Sequence, residues 1–276
     1  MTQLINPRQF TNITGLLRSF FLAKGFLEVH TQNRLSILAA CEDPTTVSTY
    51  NYSGQVWPLP QTGQMWLEYE LLHDPASPGF FCVSTSYRQE PNPIDGRHDL
   101  IFPMFEFEFP GTFADLKQME MELVEHLGYT KTQNIVVNNY LDWAKQYKVE
   151  ELTHEHEGLM CENNQICMIT NFPNNTSPFW NMARHEGDTH AKKVDVIIHG
   201  IETIGSAQRS CDKEQMRKMF NGISNGEYAN MLFSQFSRER VINEMNDFLS
   251  KEFFPRFGGG IGMTRMIRAL KMSNLI

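Results

Sequence analysis

The sequence predicts an α+β fold, an antiparallel β-sheet flanked by helices with a small helical insertion. Strand-like stretches cluster in the middle of the chain, and helical periodicity marks its two ends. No regular strand–helix–strand repeat joins them, which argues against a parallel sheet. At 276 residues the chain can bury a full core, and no linker, repeat or low-complexity segment divides it. One domain over 1–276 is expected, with the helical insertion at about 113–165.

Taken in order, Phe10, Ile13, Leu16, Leu17 and Phe20 recur at helical spacing. Asn6-Pro7 suits the start of that helix and Lys24-Gly25 its stop. FLEVHT (26–31) then reads as a strand. Two further strands, 80–87 and 100–110, flank a loop dense in turn formers, QEPNPIDGRHD. In the second of these, large apolar residues alternate with Glu106 and Glu108, so both carboxylates share one face. A helix is expected over 113–127, followed by a polar, irregular section to about 165. The stretch 194–205 reads as a strand or hairpin, and 210–223 and 237–254 read as helices. FGGGIG (257–262) reads as a turn leading into a last helix over 263–272.

Composition narrows the class. Hydrophobic residues make up 41% and charged residues 20%, the balance of a soluble globular protein. No run of about 18 apolar residues suggests a membrane span. The opening MTQLINPRQF lacks a signal-peptide layout, and the five scattered cysteines include no CxxC pair. A cytoplasmic chain with reduced thiols is expected. The net charge of −8 disfavours nucleic acid as the main partner, because neutralising phosphates supplies most of such affinity. His154, His156 and Cys161 lack a second ligand pair, so no metal is expected there.

Three constellations carry chemistry. Tyr87-Arg88-x-Glu90, Arg97-His98, Phe102 and Glu106-x-Glu108 place guanidiniums, an imidazole, a ring and carboxylates across one strand–loop–strand unit. The planar fork of arginine suits phosphate, and a ring beside it can stack on a base. Gly258–Gly262 and then Met263-Thr264-Arg265 open a helix, where glycine admits close backbone approach and the helix start favours anions. Between them, Asp195 and Glu202 on a strand pair suit Mg²⁺ shared with phosphate oxygens, and Arg209 follows seven residues after Glu202. Each feature alone is compatible with a surface ion pair or a tight turn. The ordered set is what discriminates.

In that order the set resembles motifs 2 and 3 of the class II aminoacyl-tRNA synthetase catalytic core, in the subclass serving Asp, Asn and Lys. The resemblance spans about 10–272 and implies the class II synthetase fold, with ATP and Mg²⁺ as cofactors. It implies ATP contacts from Arg88, Glu90, Arg97, His98, Phe102, Glu202, Gly262 and Arg265, and metal held by Asp195 and Glu202. Catalysis would rest on Arg88, Arg265 and Glu202, while Arg209 would grip the substrate side chain. Pro60–Glu68 resembles the amino-acid-contacting segment ahead of motif 2, which implicates Gln64 and Glu68. Aspartyl members usually place lysine where Leu67 stands, whereas Leu67-Glu68 follows the asparaginyl pattern. Cys41-Glu42 resembles the asparaginyl flipping loop and adds Glu42 to the amino-acid contacts. GFLEVHT resembles motif 1, which implies a homodimer, although Gln32 replaces its proline. Ser206-Ala207 likewise departs from the usual Gly-Ser.

The implied reaction is attack of an aspartate or asparagine carboxylate on the α-phosphorus of ATP, giving an acyl-adenylate and pyrophosphate. Members that charge tRNA carry an anticodon-binding barrel before the core and an arginine-bearing tail after it. Here motif 1 begins almost at once and the chain ends at Ile276, so no anticodon-binding domain is expected and tRNA is not expected as a partner. The chain also resembles free-standing, asparaginyl-tRNA synthetase-like cores such as archaeal-type asparagine synthetase, which join aspartate, ATP and ammonia. The run Gly258–Gly262 resembles the bacterial ammonia-dependent enzyme as well. An AMP-forming asparagine synthetase-like ligase is therefore the first expectation. A truncated synthetase-like enzyme passing Asn or Asp to tRNA or another amine is the second, and a non-catalytic paralog binding ATP and amino acid the third. Glu68 stands in tension with the first, since a carboxylate there suits an amide better than an acid.

Overall fold

The computed structural model describes residues 5–31, 37–39, 44–93, 99–129, 135–187 and 189–276. Helix α1 (Pro7–Ala23) is capped by Asn6, whose side chain accepts from the N–H groups of Arg8 and Gln9. Pro7 sits in its first turn, where a missing N–H costs nothing. The strand expected at 26–31 is cut to β1 (Leu27–Glu28). A hairpin of β2 (Thr49–Tyr52) and β3 (Gln55–Pro58) and helix α2 (Gln64–His73) come next. Strands β4 (Phe80–Tyr87) and β5 (Ile101–Pro110) then pair antiparallel. Helix α3 (Phe113–His126) opens on a capping box between Thr112 and Asp115.

The section read as irregular is structured. It holds β6 (Ile135–Asn139), α4 (Tyr140–Tyr147) and α5 (His154–Met160), so the HEHE segment is a helix start. Tyr140 and Trp143 of α4 bury their rings in a local cluster with Cys167 and Ile169, which is why the polar faces alone were visible in the sequence. After β7 (Ile166–Pro173), β8 (His190–Ile198) and β9 (Ile201–Gln208) form the expected hairpin. Helices α6 (Lys213–Gly222), α7 (Glu227–Phe236) and α8 (Arg238–Leu249) lead to β10 (Arg256–Gly262) and α9 (Met263–Met272).

The eight strands run β1-β4-β5-β10-β9-β8-β7-β6, antiparallel except for β1 with β4 and β6 with β7. One expectation is corrected here: the glycine run 257–262 is a central strand, paired with β5 on one side and β9 on the other. Glycine is a poor strand former by itself. Its neighbours explain the choice. A Cβ on Gly258 would collide with the Glu108 carboxylate, and one on Gly260 would lie 2.6 Å from Cε of Met104. Side chains from β5 and α2 fill the space that β10 leaves.

One face of the sheet packs on α1, α3 and α9. Phe81, Phe105, Phe107, Ile204 and Ile261 meet Leu17, Phe21, Leu123 and Met266 there. Phe21 stacks on Phe81, Phe105 and Phe107 with centroids 5.2–5.9 Å apart. Each such burial contributes about 1.5–3 kcal/mol. On the other face α2 packs against β4 and β5, α6, α7 and α8 close beside it around Met65, Trp180, Phe220 and Phe248, and part of the sheet is left open. Among the described residues, no helix is long and apolar enough to cross a membrane.

Candidate active site

A cavity of about 340 Å³ opens over that uncovered sheet. Gly260 and Gly262 of β10 form its floor, Phe102, Met104 and Glu106 of β5 one wall, and Glu202, Gly205 and Lys193 the other. Arg88 and Glu90 enter from the end of β4, Thr62 and Gln64 from the start of α2, and Arg265 from the first turn of α9. Phe179, Met182 and Arg209 close the far end. Arg88 and Arg265, distant in sequence, thus share one cavity with Glu202.

The Arg88 guanidinium stands 5.5 Å from the centroid of Phe102, a cation beside an aromatic platform. Arg265 reaches across to Glu202, its Nη1 lying 3.3 Å from the backbone oxygen and 3.4 Å from Oε2. The two acidic residues converge. Oε1 of Glu202 and Oδ1 of Asp195 lie 3.3 and 3.5 Å from the point a Cβ on Gly205 would occupy. Those donors suit Mg²⁺, which favours one or two carboxylates together with phosphate oxygens and water. Among the described residues no group of three His, Cys, Asp or Glu side chains is assembled. Oδ2 of Asp195 is 3.0 Å from Nζ of Lys193.

The far end is built from buried charges. Arg209 grips Glu108 through Nε and Nη2 at 2.9–3.2 Å, and Nη2 also donates to Gln64 Oε1 at 3.3 Å. Burial pushes the Glu108 carboxyl up to about 7, against the pull of Arg209. Glu106 accepts from the hydroxyls of Thr62 and Ser84 and from the Gly63 N–H at 2.8 Å. Burial raises it too, and those donors hold it back. Alternation along β5 sets both carboxylates on the cavity side, as the sequence implied.

Glu68 is a correction. It is 1% exposed and lies beneath the site, absent from the cavity wall. Its Oε1 takes Nε of Arg256 at 3.0 Å, and its Oε2 takes Nδ2 of Asn181 at 2.8 Å. A cation from the start of β10 therefore occupies the carboxylate expected to meet substrate. Glu42, Arg97 and His98 lie outside the described residues, as does Gln32.

The sequence reading overlooked Thr62, Met104, Phe179, Met182 and Lys193. Lys193 was findable, because it stands two residues before Asp195 on a strand and so shares its face. Glu120 of α3 was also passed over. It is fully buried behind the sheet, and burial raises it to about 8. Ser206 Oγ lies 2.5 Å from its Oε1 and 3.2 Å from the Val194 oxygen. One hydroxyl proton cannot serve both. A protonated Glu120 resolves this by donating to Ser206, which then donates to Val194.

Sheet order, glycine floor and opposed arginines define a class II synthetase catalytic core. The chain belongs to the class II tRNA synthetase family (D, K and N), whose model matches residues 5–276. Asparaginyl-tRNA synthetase from Pyrococcus horikoshii, complexed with asparaginyl-adenylate, superposes with TM-score 0.75 at 18% identity, over 95% of this chain and 64% of that one. The Entamoeba histolytica asparaginyl enzyme, also with asparaginyl-adenylate, gives 0.76 at 18%, over 95% and 63%. Entamoeba histolytica aspartyl tRNA synthetase gives 0.69 at 18%, over 95% and 54%. The chain thus spans less than two thirds of the length of these relatives, and at such identity the likeness shows the fold. Comparison with curated proteins finds no match. Because the structural neighbours are tRNA synthetases, nothing in the comparisons supports setting tRNA aside.

Proposed function

We propose that the chain is a ligase that activates aspartate or asparagine with ATP, forming an acyl-adenylate and pyrophosphate. The convergence of Arg88, Arg265 and Glu202 on one cavity, with Asp195 buried beside Gly205 of its lining, carries this reading. Gly262 presents no side chain of its own to the cavity, which lets a nucleotide approach the end of β10 there, whereas Met104 covers Gly260. Phe102 and Glu90 would face the adenine, Arg88 the α-phosphate and Arg265 the γ-phosphate. Asp195 and Glu202 are the residues that would hold Mg²⁺, which when bound supplies charge neutralisation along the triphosphate. Arg209 and Gln64 orient the amino acid at the far end.

A substrate carboxylate oxygen bonds to the α-phosphorus while the bond to the bridging oxygen of pyrophosphate breaks, and the electron pair leaves with pyrophosphate. No proton moves. The work of the chain is alignment and stabilisation of the phosphorane charge, a role that suits Arg88 on the cavity wall.

The Glu68–Arg256 pair favours aspartate as the substrate. Arg256 and Asn181 satisfy the Glu68 carboxylate, which would otherwise repel an acidic side chain. Ammonia then attacks the activated carbonyl and AMP leaves, as in an asparagine synthetase. Transfer to tRNA or another amine is the second reading, supported by likeness to asparaginyl enzymes bound to asparaginyl-adenylate. A homodimer is proposed with it. Leu22 and Leu27, each just over half exposed beside the β1 edge, suit a second copy, and sedimentation as a strict monomer would contradict this.

The test is exchange of labelled pyrophosphate into ATP with aspartate or asparagine supplied. Exchange is expected with at least one of them, falling on the order of 10²–10³-fold in Arg88→Ala. No exchange with either amino acid rejects activation. Mass analysis with aspartate and ammonia present then separates asparagine plus AMP from an adenylate awaiting another acceptor.

A further inference from the structure

Each carboxylate suited to Mg²⁺ already carries a cation supplied by the chain itself. Lys193 Nζ is 3.0 Å from Asp195 Oδ2, and Arg265 Nη1 is 3.4 Å from Glu202 Oε2. In each pair one cation offsets one carboxylate charge. The two pairs differ in how firmly they are held. Side-chain exposure is 15% and 9% for Lys193 and Asp195, against 30% and 35% for Arg265 and Glu202. The Lys193 ammonium also lies 4.3 Å from the centroid of Phe172, so an aromatic face braces it opposite the carboxylate. Strand register fixes the geometry, with Lys193 opposite Ala207 and Asp195 opposite Gly205. Lys193 meets Oδ2 of Asp195, while Oδ1 and Glu202 Oε1 both lie within 3.5 Å of the point a Cβ on Gly205 would occupy.

We propose that Lys193 is a positioning residue that makes metal capture depend on nucleotide: its ammonium neutralises Asp195, so the acidic pair holds a divalent ion only when phosphates arrive with it. This rests on Asp195 and Glu202 being the metal-holding residues of the reading above. A divalent ion set there without ATP meets an Asp195 carboxylate already offset by an ammonium 3.0 Å away. At such separations, even under strong screening, one unit charge shifts affinity about tenfold or more. A triphosphate reverses the balance by adding its own negative charge and oxygen ligands.

The test titrates Mn²⁺ into the full chain without ATP or amino acid, following the paramagnetic resonance signal of the free ion. The parent chain is expected to bind Mn²⁺ only weakly. Lys193→Met is expected to bind it about tenfold tighter or better, Lys193→Arg to resemble the parent, and Lys193→Met with Asp195→Asn to lose the gained site. Should Lys193→Met fail to fold by thermal melting, Lys193→Gln reads the same loss of charge. Equal Mn²⁺ affinity in the parent and the neutral variants overturns the proposal, as does a gained site that survives Asp195→Asn. The titration involves no adenylate chemistry, so its failure and a failure of pyrophosphate exchange are separate results.

Discussion

Among the described residues, four cation–carboxylate pairs lie at or beneath the cavity, and they divide by burial. Arg256–Glu68 and Arg209–Glu108 have every side chain at 3% exposure or less. Arg265–Glu202 and Lys193–Asp195 open onto the cavity, at 9–35%. The chemistry is the same and the consequence is not. In the first set each charge is desolvated and balanced chiefly by its partner, so the pairs fix how α2, β5, β9 and β10 sit together. In the second, water and any incoming phosphate compete with the partner at Arg265–Glu202, while Lys193, braced by Phe172, stays on Asp195. The far end of the site is a frame. The acidic pair is a contact waiting for ligand.

The comparison breaks first where the frame is cut. Replacing Arg256 with methionine strands Glu68 as a buried, uncompensated charge, which costs about 3–5 kcal/mol. Urea unfolding monitored by circular dichroism should show that loss. A double replacement, Glu68→Leu with Arg256→Met, removes both charges and should recover most of it. A single variant within about 1 kcal/mol of the parent would mean that the buried pair does not frame the site.

Glu120 tests burial without a cation, because its partner is a hydroxyl. Its folded value, about 8, stands above the ordinary 4.5. The folded chain therefore keeps a proton that the unfolded chain releases between those values, and stability falls as pH rises through the window. About 3 kcal/mol of that decline between pH 5 and 8 should vanish in Glu120→Gln. Equal pH slopes for variant and parent would place the proton elsewhere.

Gly258 probes the same frame sterically. A Cβ there enters the space of the Glu108 carboxylate, so Gly258→Ala should cost about 1–3 kcal/mol and loosen the grip of Arg209. Thermal melting reads the loss. An alanine that melts like the parent would show that Glu108 can move aside.

These contrasts mark what was legible in the sequence. Alternation in β5 and the periodicity of α1, α3, α8 and α9 are local patterns, and they sufficed for most of the fold. β10 was not legible, because the reason for its glycines lies on other elements, at Glu108, Met104 and Gln64. Helix α7 was hidden by Ser224, Asn225 and Gly226, whose positive φ angles break the chain direction just ahead of it. In the site, Arg88, Glu202 and Arg265 came from ordered spacing and meet as that order implied. Glu68 did not, since its fate depends on Arg256, far away in sequence. A motif fixes residue types along one strand or helix. It says nothing about which distant cation reaches them.

The smallest expected effect on stability is the most telling about the open set. Arg265 and Glu202 are about one third exposed, and at 3.4 Å their contact is long. Solvent screens such a pair, so Arg265→Met should change unfolding free energy by no more than about 1 kcal/mol. Its effect on pyrophosphate exchange should be far larger, on the order of 10²-fold, because the same guanidinium would stabilise charge on the leaving phosphates. Fold and function therefore separate at this residue, whereas at Arg256 they fall together. Measuring both quantities on Arg265→Met decides the matter. A large stability loss with modest loss of exchange would turn the open pair into part of the frame and erase the distinction between the two sets.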